Sequence, residues 1–451
     1  MKKIDEYLAE NKALMLEVLG NLISYPSVYA QDNAAYPFGE ANAKCLDYAL
    51  QVCEDFGMKT KNLDYYVGYG EIGQGEKLLG IIGHLDVVPV GSNWNTDPFK
   101  MEIIDGKIFG RGTSDDKGPM VSALFAVKYL IDNNIEFKKR LRLVFGCNEE
   151  SGFACAKHYV EKEGHFDMGF TPDGPFPCCF GEKGIIKFEM STENKLFDKL
   201  NGGVAANVVP DHCELTIDSA KVDKAALVKY LEESPVSEHS LTEEDGKLTL
   251  IVKGKAAHAS TPEEGINAIA YALSALHVAG VEDEAISEFY ERFNTEIHGD
   301  SCGIHFKDKY GDLTLNIGMI SLVDDKIVFV IDIRNPFTIP NKEAIDIMNQ
   351  NFKHWQVVTL TDDTGLYQPE DSPFVTLLTN TYNEITGSDK KAIAMGGGTY
   401  ARGIHNTLAF GVDDGDGENT NIHDANEFVR EEKLLRNTNI FIQALLRMME
   451  L

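Results

Sequence analysis

The sequence predicts an α/β fold: a domain built on a mostly parallel sheet flanked by helices, interrupted by a large α+β domain. Three observations predict it. Short, dense apolar runs at Leu78–Val88 (LLGIIGHLDVV) and Leu141–Cys147 (LRLVFGC) have the composition of strands buried on both faces. Between them, Met120, Leu124, Val127 and Ile131 recur at helical spacing after Pro119, a first-turn proline. After about Gly184 the texture changes to apolar alternation, and from about Leu366 the first texture returns.

Taken in order, the opening MKKIDEYLAENKALMLEVLG has two lysines and then acids where a signal peptide needs an apolar run, so it reads as an amphipathic surface helix. Residues 1–183 form the first part of the divided domain, 184–365 the insertion and 366–451 the second part. Within the insertion, alternation at Lys247–Val252 (KLTLIV), Asp312–Ile317 (DLTLNI) and Lys326–Ile333 (KIVFVIDI) predicts strands. Helices are predicted at Val222–Glu233 and Gly265–Gly280. The second is expected to start at Thr261-Pro262-Glu263-Glu264, a capping residue, a proline and acids for the positive helix end. Beyond the insertion, Pro373–Thr386 reads as a helix and Thr407–Val412 as a strand. A domain split in this way can use its insertion as a lid that excludes water.

Composition narrows the function classes. Across 451 residues, 43% hydrophobic and 25% charged residues describe a globular chain with ample core. A net charge of −29 argues against nucleic acid as a partner, since phosphate backbones need basic patches. No window reaches the apolar length of a membrane span. The eight cysteines show no metal-finger spacing, and adjacent Cys178 and Cys179 read as a structural coincidence rather than a redox pair. Reduced thiols and a cytoplasmic location are therefore expected.

Chemistry-bearing segments gather at predicted strand ends, where open α/β sheets place their sites. In Gly83-His84-Leu85-Asp86, the imidazole of His84 could take a borderline metal and Asp86 could orient it, though alone the pair reads as structural. Glu149-Glu150 follows a buried-looking strand; one carboxylate could bind metal while the other moves protons, the alternative being a solvated acidic turn. Asp115-Asp116, in GRGTSDDKG, could bridge two cations or cap the following helix. Asp173 sits in a Pro-Asp-Gly turn, and His423 in Asn421-Ile422-His423-Asp424 far downstream. The acidic run Asp413–Glu418 fails as a calcium loop, because aligning Gly417 puts Val412 at the first ligand position and His423 where Glu belongs. Gly396-Gly397-Gly398 lacks the Lys-Ser/Thr of a nucleotide loop and suits close backbone approach, with amides donating to a substrate carboxylate.

These segments, in this order from GHLDVVP to NIHDANE, resemble the co-catalytic zinc peptidase family that includes aminoacylase, carboxypeptidase G and carnosinase. GRGTSDDKGP, GGGTYAR and the long insertion resemble its PepV-type bacterial dipeptidases. The resemblance implies two divalent metals per chain, zinc first, with manganese or cobalt accepted by the same ligands. His84, Asp115 and Asp173 would hold one metal, and Asp115, Glu150 and His423 the other. The DxKG pattern of the family selects Asp115 over Asp116 as the bridge and implies a cis peptide after it. Glu149 would be general base and acid, with Asp86 orienting His84. From the insertion, Asn207 (GGVAANVVP) and His258 (GKAAHAS) would reach the site, His258 as an oxyanion donor, and Arg334 (DIRNP) would grip the substrate carboxylate. A doubled lid in the PepV type further implies a monomer. The activity implied is hydrolysis of short peptides with a free amino terminus. An N-acyl-amino-acid deacylase of desuccinylase or aminoacylase type is the alternative, and a non-catalytic metal- or peptide-binding protein is a more distant one.

Overall fold

The computed structural model describes residues 2–31 and 35–451, and the chain divides into two compact units. One comprises Met1–Phe180, Gln368–Ile393 and Gly398–Leu451; the other comprises Gly181–Tyr367 and Ala394–Gly397.

In the first unit the strands lie in the order Lys59–Leu63, Val67–Ile72, Arg140–Gly146, Leu78–His84, Met168–Thr171 and Thr407–Ala409. The last four run parallel, and the first two form an antiparallel hairpin on the flank. Every residue of Leu78–His84 is buried, as a central parallel strand requires. The apolar run to Val88 is longer than this strand: the chain leaves the sheet at His84, so Asp86 lies in the loop beyond it. Thr407–Val412 likewise contributes only Thr407–Ala409 as strand.

Helices pack beside this sheet. Ile4–Ile23 buries Leu8, Met15, Leu19 and Leu22 along one side. Lys117–Asp132 is buried over most of its length and packs against Glu431–Glu450. Helix Pro373–Thr386 starts at Ser372, whose side chain accepts from Val375 N, and ends at left-handed Gly387. No helix among the described residues is long and apolar enough to cross a membrane.

The second unit is one continuous eight-stranded antiparallel sheet. Its order is Glu238–Glu244, Lys247–Lys253, His212–Asp218, Phe197–Gly202, Thr314–Val323, Lys326–Asn335, Gly184–Glu193 and Gln356–Asp363. Alternation works as the sequence suggested: Leu248, Leu250 and Val252 point inward from their strand. Helices Lys224–Glu232, Ala268–Val278 and Glu284–Arg292 close a core containing Phe188, Leu215, Ile269, Phe289 and Phe329. Thr261-Pro262-Glu263-Glu264 does not open the second of these helices. Pro262–Glu264 makes only a 3-10 turn, and the helix begins at Ala268, capped by Asn267, which accepts from Ala270 N. The proline and acids satisfy a short turn as well as a long helix, so the signal misplaces the start.

Candidate metal centre

Parallel strands in register deliver their loops to one end of the sheet. His84 closes its strand opposite Gly146, so Glu149 and Glu150 emerge beside it; Asp173 follows the neighbouring strand Met168–Thr171. Asp115 comes from the loop before helix Lys117–Asp132, and His423 from the segment before strand Phe428–Arg430. All belong to the first unit.

The central geometry is the division of the Asp115 carboxylate. Its Oδ1 lies 3.0 Å from His84 Nε2 and its Oδ2 3.0 Å from His423 Nε2. Glu150 Oε2 lies 3.1 Å from the same His423 nitrogen, and Asp173 Oδ2 is 3.9 Å from His84 Nε2. Donor atoms of His84, Glu149 and Asp173 lie within 4.8 Å of one another, as do those of His84, Asp115 and Glu150. Burial raises the Asp115 carboxyl, but bonding to His423 and His84 overrides it and holds the group well below the carboxylate range. The Asp115–Asp116 peptide is cis.

Asp116 faces elsewhere. It is fully buried, and its Oδ2 accepts from the backbone N–H of His84 at 3.0 Å. Burial drives its carboxyl well above the ordinary range, against the pull of His84. A Cβ on Gly83 would collide with this carboxylate, which explains glycine before the histidine.

Asp86 works differently from the expectation that its carboxylate orients His84. The His84 Nδ1 lies 2.9 Å from the Asp86 backbone carbonyl and 3.6 Å from the carboxylate. A proton on Nδ1 donating to that carbonyl fixes the ring with Nε2 facing Asp115. The Asp86 carboxylate instead accepts from Glu149 N at 3.0 Å and Glu150 N at 3.1 Å. Buried there, its carboxyl is pushed up to about 6.

Burial, and the charges of Asp173, Glu150 and Asp115, push the Glu149 carboxyl well up against the opposing pull of His84. His84 is lowered by burial, but Asp115, Asp86 and Glu149 outweigh that and move it well above its ordinary value. His423 is raised to about 10, first by its bonds to Asp115 and Glu150. Two imidazoles bound to proton-attracting carboxylates present N/O donors of the kind zinc takes, and a divalent cation would replace those protons. The residues therefore fit two divalent metals sharing Asp115.

The remaining sequence-predicted residues lie in the second unit, except Gly398, which belongs to the first. Ala259 N donates to Asn207 O at 2.9 Å, and Val208 bridges His258, so Asn207 and His258 stand on adjoining loops. Both are exposed. His258 Nδ1 accepts from Ser260 N at 3.2 Å and lies 2.7 Å from Ser260 Oγ. A backbone N–H can only donate, so the His258 proton resides on Nε2. Desolvation and the Arg334 charge lower this histidine and keep it neutral. Arg334 is buried and donates to Asp332 through Nε (2.6 Å) and Nη2 (3.2 Å), and to Gly396 O through Nη1 (3.1 Å). Of a guanidinium's five N–H bonds, these use three.

Two residues escaped the sequence reading. Asn316 is buried, and its amide donates to Ala206 O and Val208 O, both at 2.9 Å, on either side of Asn207. A polar residue between Leu315 and Ile317 in an apolar strand was its only signal. Glu427 is fully buried and accepts from the backbone of the loop that carries Asp115. It closes the NIHDANE segment, but nothing in spacing separates it from an ordinary acid.

The model of peptidase family M20/M25/M40 matches residues 80–447. A Staphylococcus saprophyticus relative named "Putative dipeptidase" is 33% identical over 468 residues, covering 99% of this chain and 98% of its own. A Staphylococcus haemolyticus relative of the same name is 32% identical over 470 residues, covering 98% of each. Human carnosine dipeptidase 1 shares the fold with a TM-score of 0.59 at 15% identity, covering 99% of this chain and 98% of that one. The di-peptidase Dug1p of Saccharomyces cerevisiae does so with a TM-score of 0.60 at 16% identity over the same shares. A family model spanning most of the sequence, with one-third identity from end to end, makes the chain a metallopeptidase belonging to peptidase family M20/M25/M40.

Proposed function

We propose that the protein is a dinuclear dipeptidase that hydrolyses the peptide bond of short peptides with a free amino terminus. The observation that carries this reading is the Asp115 carboxylate, split between His84 and His423 with Glu149 in the same cluster. His84, Asp115 and Asp173 would hold one metal and Asp115, Glu150 and His423 the other, zinc being the metal we favour for this mixed N/O set. When bound, the pair supplies Lewis-acid polarisation of the scissile carbonyl and acidifies the attacking water.

The chain's own groups do the rest. Glu149, its carboxyl raised by burial and by neighbouring negative charge, accepts the proton of the water and later delivers it to the leaving amine. His84 is held by the Asp86 carbonyl so that one nitrogen always faces the centre. Neutral His258, with Nδ1 occupied by Ser260, has its Nε2–H to donate to the oxyanion. The two remaining N–H bonds of Arg334 would meet the substrate carboxylate, its fork already oriented by Asp332. Amides of Gly396, Gly397 and Gly398, and the side chain of Asn207, would complete the substrate contacts. The carboxylates of the centre suit a substrate ammonium, which favours a free α-amine over an N-acyl group. A cytoplasmic monomer completes the proposal; all eight cysteines are buried, and no disulfide occurs among the described residues.

Amine release from a panel of dipeptides, β-alanyl-histidine, tripeptides and N-succinyl or N-acetyl amino acids tests the substrate class. Zinc-loaded protein is expected to cleave the free dipeptides and to lose that activity with a chelator. Cleavage confined to the N-acyl compounds would replace this reading with deacylation. The oxyanion role has its own test: His258→Ala should lower kcat about 100- to 1,000-fold while metal content stays at two per chain. Unchanged kinetics would remove His258 from the mechanism.

A further inference from the structure

Glu427 is a carboxylate with no exposed surface, and among the described residues its side-chain hydrogen bonds go to one loop, Arg111 to Asp115. Its Oε2 accepts from Arg111 Nη1 at 2.9 Å and Gly112 N at 3.0 Å. Its Oε1 accepts from Ser114 N at 2.8 Å and Asp115 N at 3.2 Å. Two further bonds knit the same segments: Gly110 N donates to Glu427 O at 3.1 Å, and Ser114 Oγ to Phe428 O at 2.7 Å. Strand Phe428–Arg430 then pairs with Lys107–Phe109 at the base of the loop. Four residues before Glu427 stands His423, whose Nε2 lies 3.0 Å from Asp115.

We propose that Glu427 is a positioning residue that sets Asp115 and His423 against each other and so builds the second metal site. This rests on the reading of Asp115, Glu150 and His423 as metal ligands. The carboxylate gathers the amides of Gly112, Ser114 and Asp115, aims the Asp115 backbone, and fixes the segment from which His423 reaches back. Two of the three donors at that site depend on it. At the other site, His84 and Asp173 are placed by strands Leu78–His84 and Met168–Thr171, and only Asp115 depends on Glu427. Loss of Glu427 should therefore weaken the two sites unequally. A residue that served folding alone would weaken both alike or neither.

The test is a zinc titration of the metal-free full-length chain against a chromophoric chelator, resolving the first and second equivalents. Glu427→Gln keeps the shape but turns an NH2 toward donors. It should bind the first zinc only slightly more weakly than the wild type and the second about 10- to 100-fold more weakly, the range of outer-contact substitutions at metal sites. A second variant, Arg111→Met with Glu427→Gln, removes the buried cation that the single change leaves uncompensated. It should fold, by far-UV circular dichroism, and show the same deficit at the second equivalent. Two equivalents of wild-type affinity in Glu427→Gln, recovery of the second equivalent in the double variant, or loss of fold in both would overturn the proposal. Wild-type protein binding fewer than two metals, or unchanged binding in His423→Ala, would instead overturn the ligand assignment beneath it.

Discussion

Glu149→Gln is expected to retain two metals per chain and to lose turnover by about 100- to 10,000-fold, the contribution of a well-placed general base. The substitution isolates proton transfer. Glutamine has the outline of glutamate, and the backbone N–H of residue 149 still donates to Asp86, so the loop is held as before. What disappears is a carboxylate whose burial and charged neighbours Asp173, Glu150 and Asp115 make it a better proton acceptor than an exposed one. Initial rates on a cleavable dipeptide, with metal content by plasma mass spectrometry on the same sample, check both halves. Wild-type rates would exclude Glu149 as the base. Loss of metal together with activity would move it into the ligand set.

The second large effect belongs to Asp115→Asn. One oxygen remains where two are used, and the new NH2 must face either His84 or His423, each 3.0 Å from a carboxylate oxygen in the wild type. Metal affinity should fall by more than the roughly 10- to 100-fold typical of outer contacts, at both equivalents, and activity should fall with it. Asp116→Asn is the control. Its carboxyl is buried, shifted well up by that burial and bonded to the His84 backbone, so an amide should keep both metals and cost stability instead. Equilibrium dialysis with zinc and thermal melts separate the two variants. Metal loss in Asp116→Asn with retention in Asp115→Asn would exchange their roles.

Local signals made part of this legible in the sequence. Leu78–His84 and Arg140–Gly146 were visible because strands buried on both faces are densely apolar, with Arg142 the one charge inside the second. Residues at their ends were then placed by topology. Helix Pro373–Thr386 was readable at both ends, since a serine cap and a left-handed glycine are chemical requirements rather than tendencies. The Thr261 signal misled because capping chemistry is shared by 3-10 turns and long helices, and Asn267 did the capping. The Asp86 carboxylate was assigned to His84, two residues away, whereas its bonds go to amides more than 60 residues on. Glu427 and Asn316 share that difficulty: both act on backbone groups over 100 residues distant, and no side-chain pattern records such a partner. The Arg334–Asp332 fork was legible in principle, because residues two apart on a strand share a face.

The two-oxygen grip of Asp86 on successive amides has an evolutionary consequence. It holds the main chain at 149 and 150 without engaging either side chain. The loop is thus a fixed socket whose inserts can be exchanged. If Glu150 ligates metal as proposed, aspartate or histidine in its place would change which cation is preferred while residue 149 stays where it is. Divergence in metal preference within this scaffold can then proceed by single substitutions, with no compensating rearrangement of the backbone.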